Sequence, residues 1–281
     1  MTTKKTPSPA TADAAAWRVP EGGKGFSLAR MDPGARPFSL SDKEADRERV
    51  RALAAEIDAL QDVFWADKRF KLLVLLQGTD TAGKDGTIRA VFKETSPLGV
   101  RTVGWKAPTE LERSHDYLWR IHRQMPAAGE FMIHNRSHYE DVLVPVVRGW
   151  IDDRTTEQRY RQINDFERML SENGTVIMKF MLHISKDEQR KRLQDRIDNP
   201  NKHWKFSMGD IDDRAHWPDF QKAYERALRA TSTAWAPWTV VPADSKRHRN
   251  LMIGTLVRDK LESLKLRYPP DNPALNGLVI P

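Results

Sequence analysis

Apolar residues recur at three- and four-residue intervals from Val50 through Leu53, Ile57 and Leu60 to Phe64, the spacing of a single buried stripe on a helix. Ser41 precedes the stripe as an N-cap, so a helix is expected from there to about Lys68. The period then changes. Residues 70–77 form a nearly continuous apolar run of strand length, followed by a glycine loop and by Ile88, Val91 and Phe92 at helical spacing. The alternation continues along the chain. Strand two is expected at Val100–Trp105, then a Thr109-capped helix to about Gln124 that Pro126 ends. Strand three is Phe131–His134, with a helix from about His138. Thr155 or Thr156 opens a helix to Glu172, with Gly174 past its end as a C-cap. Strand four is Thr175–Ile184, and Ser185 caps a helix to about Ile197. Residues 199–217 read as polar and irregular, Asp219–Trp235 as helix, and Pro237–Pro242 contains strand five. Ser245 caps a last helix to Leu266. Five strands alternating with helices imply an α/β fold, a parallel sheet with right-handed crossovers and helices on its faces.

The flanks differ in character. Met1–Ala16 is rich in Thr, Pro and Ala without an apolar segment, and reads as a disordered tail rather than a secretory signal. Residues 17–42 are Gly- and Pro-rich, an arm expected to wrap the domain or a neighbouring subunit; with the first helix it makes an N-terminal unit, 17–69. The main domain spans 70–268, and 269–281 is a Pro-rich tail. At 281 residues the chain suits one large α/β domain. No apolar run approaches the roughly 20 residues of a membrane helix, so no membrane partner is expected. The absence of cysteine excludes disulfides, thiol chemistry and Cys-ligated zinc, and suits a cytoplasmic protein. The 46 Lys and Arg exceed the 39 Asp and Glu, a net +7 that points to a polyanionic partner. These bases are dispersed among acids, with no RNA motif and no zinc spacing, which argues against a nucleic-acid-binding protein.

The chemistry concentrates in Leu75–Gly86. Gly78 and Gly83 stand five residues apart and Lys84 follows, between a strand and a helix, as a phosphate loop requires. Two acids are out of place. Asp85 holds the position where Ser or Thr usually binds Mg²⁺, and Asp80 lies inside the loop. Carboxylates beside a polyanion repel it unless metal ions bridge the two. Strand three ends on Asn135, where the metal-organising acid is usual. Glu140 and Asp141 follow one turn later, and Arg136, permanently charged, suits a phosphate contact. A second reading of that turn stands beside the first: Ser137 and Glu140 match a capping box, and Asp141 favours the helix dipole.

Four blocks in order resemble the family-2 polyphosphate kinases: Gly78–Gly86, Asn135–Val144, Asn199–Ser207, and Ala236–Trp238 with Pro242–Asp244. The resemblance covers residues 30 to 268 and implies a P-loop kinase fold, thymidylate kinase-like, with a helical lid at about 186–217. It implies reversible phosphoryl transfer from inorganic polyphosphate to AMP or ADP, yielding ATP, with Mg²⁺ (or Mn²⁺) as cofactor. The Asn-Arg-Ser-His-Tyr-Glu-Asp block at 135–141 is similar to the class III subgroup, which phosphorylates both AMP and ADP. Family members are often dimers or tetramers, so a homodimer or homotetramer is expected. The roles that follow are Asp80, Lys84, Arg136, Glu140 and Asp141 as catalytic, with Asp80 and Asp141 as the metal ligands. Phosphate and nucleotide binding falls to Gly78, Thr81, Ala82, Gly83, Lys84, Asp85, Gly86, Asn135, Arg136 and His138, and to Arg196, Lys202 and Lys205 of the lid. Asp85 reads equally as a helix-start cap, and Trp204 as a base platform or, like most of the nine tryptophans, a core residue. The alternatives are an ATP-dependent nucleoside monophosphate kinase and a non-catalytic basic nucleic-acid binder.

Overall fold

The computed structural model describes residues 11–40 and 42–280. Five strands form one parallel sheet: β1 (Lys71–Gln77), β2 (Val100–Gly104), β3 (Phe131–Asn135), β4 (Thr175–His183) and β5 (Trp238–Pro242), in the order β2-β3-β1-β4-β5. Among the described residues ten α-helices accompany them: α1 (Lys43–Asp67), α2 (Lys84–Val91), α3 (Glu110–Arg113), α4 (Trp119–His122), α5 (Val144–Val147), α6 (Asp153–Glu172), α7 (Lys186–Asp198), α8 (Met208–Ala215), α9 (Trp217–Thr231) and α10 (Lys246–Ser263).

The unbroken apolar run of β1 follows from its place at the centre of the sheet, where both faces are covered. Alternate side chains serve two cores. Leu73 and Leu75 join Met132, Ile177 and Val240 under α6 and α9. Leu72, Val74 and Leu76 join Ile133, Phe180 and Val241 under α1, α2 and α10. Each such Leu, Ile or Phe contributes roughly 1.5–3 kcal/mol by burial. The predicted α1 stripe packs as expected, with Leu53, Ile57 and Phe64 buried. Residues of the N-terminal arm enter both cores: Val19, Phe26 and Leu28 one, Phe38 the other. Its backbone also joins the sheet edge, Val19 N donating to Trp238 O at 2.9 Å.

Several boundaries differ from the sequence expectation, mostly because local side-chain hydrogen bonds decide them. Asp42 caps α1, accepting from Ala45 N; Ser41 lies outside the described residues, as do residues 1–10. Residues 11–16, expected in the tail, belong to a 3-10 segment, Thr11–Trp17. The helix expected from Thr109 to Gln124 is two short ones, because Asp116 accepts from Leu118 N at 2.9 Å and turns the chain between them. α6 opens one turn early, capped by Asp152. The helix expected at His138 begins as a 3-10 turn, His138–Val142, before α5. Residues 199–217 are not irregular: they carry a 3-10 turn, Pro200–Lys205, and α8. Among the described residues no helix is long and apolar enough to cross a membrane.

β1 pairs with β3 on one side and β4 on the other. The loops leaving β1 and β3 therefore emerge side by side at the carboxyl edge, the usual ligand edge of an open α/β sheet.

Candidate active site

The loop after β1 is shaped by contacts from distant elements. Gly78 has φ +150, and a Cβ there would lie 2.6 Å from Leu182 O on β4. Gly83 has φ +103, and a Cβ would lie 1.8 Å from Arg249 Nη1 on α10. Gly78 therefore requires glycine on two counts, backbone and space, and Gly83 chiefly on backbone, since the group a Cβ would meet is the far end of a long side chain. Arg249 Nη1 donates to Ala82 O at 3.1 Å, and Arg192 Nη1 donates to Thr81 O at 3.0 Å. Two buried guanidiniums thus lie against the loop. Lys84, the first residue of α2, donates from Nζ to Gly78 O at 2.6 Å and Thr79 O at 3.3 Å. Burial pulls its pKa down to about 8, and the nearby Arg136 acts in the same direction against Asp80, Glu140 and Asp85.

Arg136 organises the acids. It donates to Asp80 at 2.6 Å and to Glu140 at 2.8 Å. Its backbone has φ +65, a region uncommon for a non-glycine residue, held by its N–H to Leu76 O at 3.0 Å. The Gln77 amide satisfies its neighbours with nitrogen toward Glu140 Oε1 and oxygen toward Ser137 N, each at 3.0 Å. Asn135 Nδ2 donates to Asp85 Oδ1 at 2.5 Å. The two positions where a hydroxyl and an acid would usually hold Mg²⁺ therefore face each other with the acid on the opposite partner.

Ser137 caps the turn, accepting from Tyr139 N, while Glu140 reaches Arg136. The full capping box is not formed. His138 is buried and points inward to Glu167 at 3.1 Å, away from the loop. Asp141, expected beside Asp80, is turned toward Arg120, 3.7 Å away. Burial raises its pKa against the pull of Arg120 and Arg159, and Oδ2 has no hydrogen-bond partner. Asp141 lines neither of the two cavities that Asp80 lines.

Those two cavities meet at the loop. One is walled by Leu143, Val144, Trp217, Phe220 and Tyr224, with Gly78, Asp80, Arg136 and Glu140 at its base, and is open to only about 30 Å³. The other is a trough of about 620 Å³ lined by nine bases (Lys84, Lys106, Arg136, Arg192, Arg196, Lys202, Lys205, Lys246 and Arg249) against Asp80, Asp85, Asp195 and Asp210. Asp80 and Arg136 belong to both. Thr81, Gly83, Gly86 and Asn135 line the trough, and Ala82 lies buried beneath it. Arg196 is tied to Asp210 at 3.1 Å, Lys202 to Asp195 at 2.6 Å, and Lys205 lies 4.8 Å from the Trp204 ring centre.

The sequence reading missed Arg249 and the apolar wall. One signal for Arg249 was available: α10 begins Lys246-Arg247-His248-Arg249 with no acid in its first turn, against the helix dipole. Cations there need acceptors from elsewhere, and the loop carbonyls supply one. The wall residues left no such trace, because they read as ordinary core.

As to metal, among the described residues no group of three or more His, Asp or Glu is placed to hold an ion. Mg²⁺ asks for less: one or two carboxylates, completed by phosphate oxygens and water. Asp80 fits that demand. Burial and the Asp80 charge raise the pKa of Asp210 against the pull of Arg196.

A parallel sheet, a glycine loop with its lysine at the central strand, and a cation-lined trough beside an aromatic pocket define a P-loop phosphotransferase. The chain belongs to the polyphosphate kinase 2 family: the sequence profile of Polyphosphate kinase 2 (PPK2) matches residues 40–269. It is 47% identical over 264 residues to an AMP/ADP-polyphosphate phosphotransferase of Meiothermus ruber, covering 94% of this chain and 98% of the relative. It is 40% identical over 272 residues to an ADP-polyphosphate phosphotransferase of Rhodopseudomonas palustris, covering 92% and 93%. The crystal structure of polyphosphate kinase 2 from Arthrobacter aurescens TC1 superposes with a TM-score of 0.89 at 45% identity, covering 92% of each chain. The fold is that of the P-loop kinases, as the resemblance implied.

Proposed function

We propose that the protein transfers the terminal phosphoryl group of inorganic polyphosphate to AMP and ADP. The observation that carries this reading is the sharing of Asp80 and Arg136 by two cavities, one a trough lined by nine bases and the other walled on one side by Leu143, Val144, Trp217, Phe220 and Tyr224 and lined elsewhere by Thr79, Glu140, Gln189 and Asp213. The basic trough suits a long phosphate chain, whose charge is spread and repetitive. The aromatic and apolar pocket suits a nucleoside, with its phosphate directed at Arg136. The Meiothermus relative is named for AMP, ADP and polyphosphate, and the Rhodopseudomonas relative for ADP and polyphosphate.

In the reaction, an oxygen of the acceptor phosphate attacks the terminal phosphorus of the chain. The P–O bond to the bridging oxygen breaks, and its electron pair stays on the shortened polyphosphate. The acceptor is already ionised, so no general base is needed. Lys84 and the loop N–H groups hold the transferring phosphoryl, and its negative charge favours the protonated Lys84 that burial disfavours. Arg136 exchanges carboxylate partners for phosphate oxygens, guided by Glu140. When bound, Mg²⁺ neutralises phosphate charge, with Asp80 as its protein ligand. Arg196, Lys202 and Lys205 extend the trough and steer the chain.

The acceptor pocket at about 30 Å³ is far smaller than the roughly 300 Å³ or more of a small-molecule site. The segment 186–217 therefore acts as a lid that swings outward to admit the nucleotide. The same reading carries a cytoplasmic homodimer or homotetramer without a nucleic-acid partner. The deciding experiment is phosphotransfer with long-chain polyphosphate against AMP and ADP, with ATP plus AMP in parallel. Product from ATP plus AMP alone would sink the proposal.

A further inference from the structure

Lys179 sits in the middle of β4 and is fully buried, as is Glu167 on α6. The ammonium has three donors and three acceptors: Glu167 Oε2 at 2.6 Å, Tyr139 OH at 2.8 Å and Thr231 O at 2.7 Å. Tyr139 OH in turn donates to Glu167 Oε1 at 2.8 Å, and His138 Nε2 approaches the same oxygen at 3.1 Å. Burial raises the Glu167 carboxyl, but Lys179 and His138 outweigh it and leave it below its ordinary value. Every strong group of the pair is satisfied.

A buried ion pair is weak evidence for stability, since well-packed apolar residues of similar volume often replace one at no loss. Its connections suggest another use. His138 and Tyr139 are the inward residues of the turn whose outward residue is Glu140, the partner of Arg136. Thr231 closes α9, the helix that carries Trp217, Phe220 and Tyr224 into the aromatic pocket. Trp238 locks that end further, donating to Thr231 Oγ1 at 2.9 Å and packing edge-on against Tyr139 at 4.7 Å. The base and the wall of one cavity thus hang on a single buried pair, whereas the basic trough meets it only through Arg136: none of His138, Tyr139, Glu140, Glu167, Lys179 and Thr231 lines the trough.

We propose that Glu167 and Lys179 are positioning residues for the nucleotide acceptor, fixing the Glu140–Arg136 turn relative to the α9 wall. The proposal rests on the reading of the aromatic pocket as the acceptor site. Displacing reacting groups by about an ångström costs up to about 100-fold in rate. A variant that loosens the pair therefore acts on kcat and on the acceptor KM, and reaches the polyphosphate KM only through Arg136, one of the nine bases along the trough.

The test uses the full-length enzyme with two variants. The first is the double substitution Glu167→Gln with Lys179→Met, which leaves no lone buried charge. The second is Tyr139→Phe, which removes only the hydroxyl joining the turn to the pair. Steady-state kinetics are measured against AMP, ADP and polyphosphate separately, per folded molecule, with unfolding followed alongside. The expected result is a fall of about 10- to 100-fold in acceptor kcat/KM, with polyphosphate KM changed by less than about twofold. Lowered stability with unchanged acceptor kinetics overturns the proposal, as does an equal change in both KM values. Glu140→Ala, run in parallel, separates the two layers. If it alters the polyphosphate KM and not the acceptor KM, the pocket assignment is wrong. If it alters the acceptor KM while the pair variants do not, the positioning role alone fails.

Discussion

Replacing Lys84 with methionine should make the protein more stable and nearly inactive. The ammonium is buried, and its pKa falls from 10.5 to about 8. At about 1.4 kcal/mol per unit, keeping that charge in the folded state at neutral pH costs about 3 kcal/mol. Its hydrogen bonds to Gly78 O and Thr79 O return about 1–2 kcal/mol. Methionine fills similar space without the charge, so a net gain of about 1–2 kcal/mol is expected, or about 2–6 °C in midpoint for a protein of this size. The sign with pH follows from a base whose folded pKa is depressed. The penalty is fully present below about 8 and is relieved as pH rises toward 10.5. The stability difference between variant and parent should therefore shrink over that window. Activity runs the other way. For the free enzyme, kcat/KM for polyphosphate should fall as Lys84 loses its proton, about 25-fold between pH 7.5 and 9.5. Urea unfolding at several pH values and a coupled ATP assay measure both. A Lys84→Met protein less stable than its parent at pH 7, or a stability gap that does not change with pH, would refute the reasoning.

Other substitutions separate the roles of neighbouring residues. Asp80→Asn should cut turnover by about 100-fold or more and raise the Mg²⁺ concentration for half-maximal rate, whereas Asp141→Asn, facing Arg120, should leave the Mg²⁺ titration unchanged; a shift with Asp141→Asn alone would reverse the assignment. Gly83→Ala places a methyl on the Arg249 guanidinium at an unfavourable φ, so donor turnover should be lost and stability reduced by about 1–3 kcal/mol; a fully active, equally stable variant would show that the loop yields easily. Arg249→Gln should raise the polyphosphate KM about tenfold with little effect on acceptor KM, and equal effects on both would place Arg249 outside the trough's function. Glu140→Ala should change the AMP to ADP preference, read from kcat/KM for the two acceptors under one polyphosphate concentration.

Much of the fold was legible because its signals are local. The α1 stripe, the unbroken run of β1 and the caps at Ser185 and Ser245 are properties of a few adjacent residues, and the structure forms each of them. Boundaries failed where one side chain tipped a local choice, as Asp116 did between α3 and α4. The phosphate loop and the Asn135–Asp141 turn were readable for the same reason, being contiguous motifs whose chemistry lies in neighbouring residues. Lys179 was visible as a lysine in an apolar strand, but nothing nearby named its partner. The sequence by itself thus determined the five strands, the long helices and the two motifs, and missed α8. Tertiary structure decided which motif acids face the cavities. It turned Asp141 to Arg120 and His138 to Glu167, and left Asp80 and Glu140 on Arg136. It alone brought Arg249 to Ala82 across 167 residues of chain, and Leu143 to Phe220 across the aromatic pocket. The reason is physical: helical and strand periods are written in spacing along the chain. The direction of a buried charge is set instead by whichever partner the sheet order and crossovers deliver, and that partner can come from anywhere in the chain.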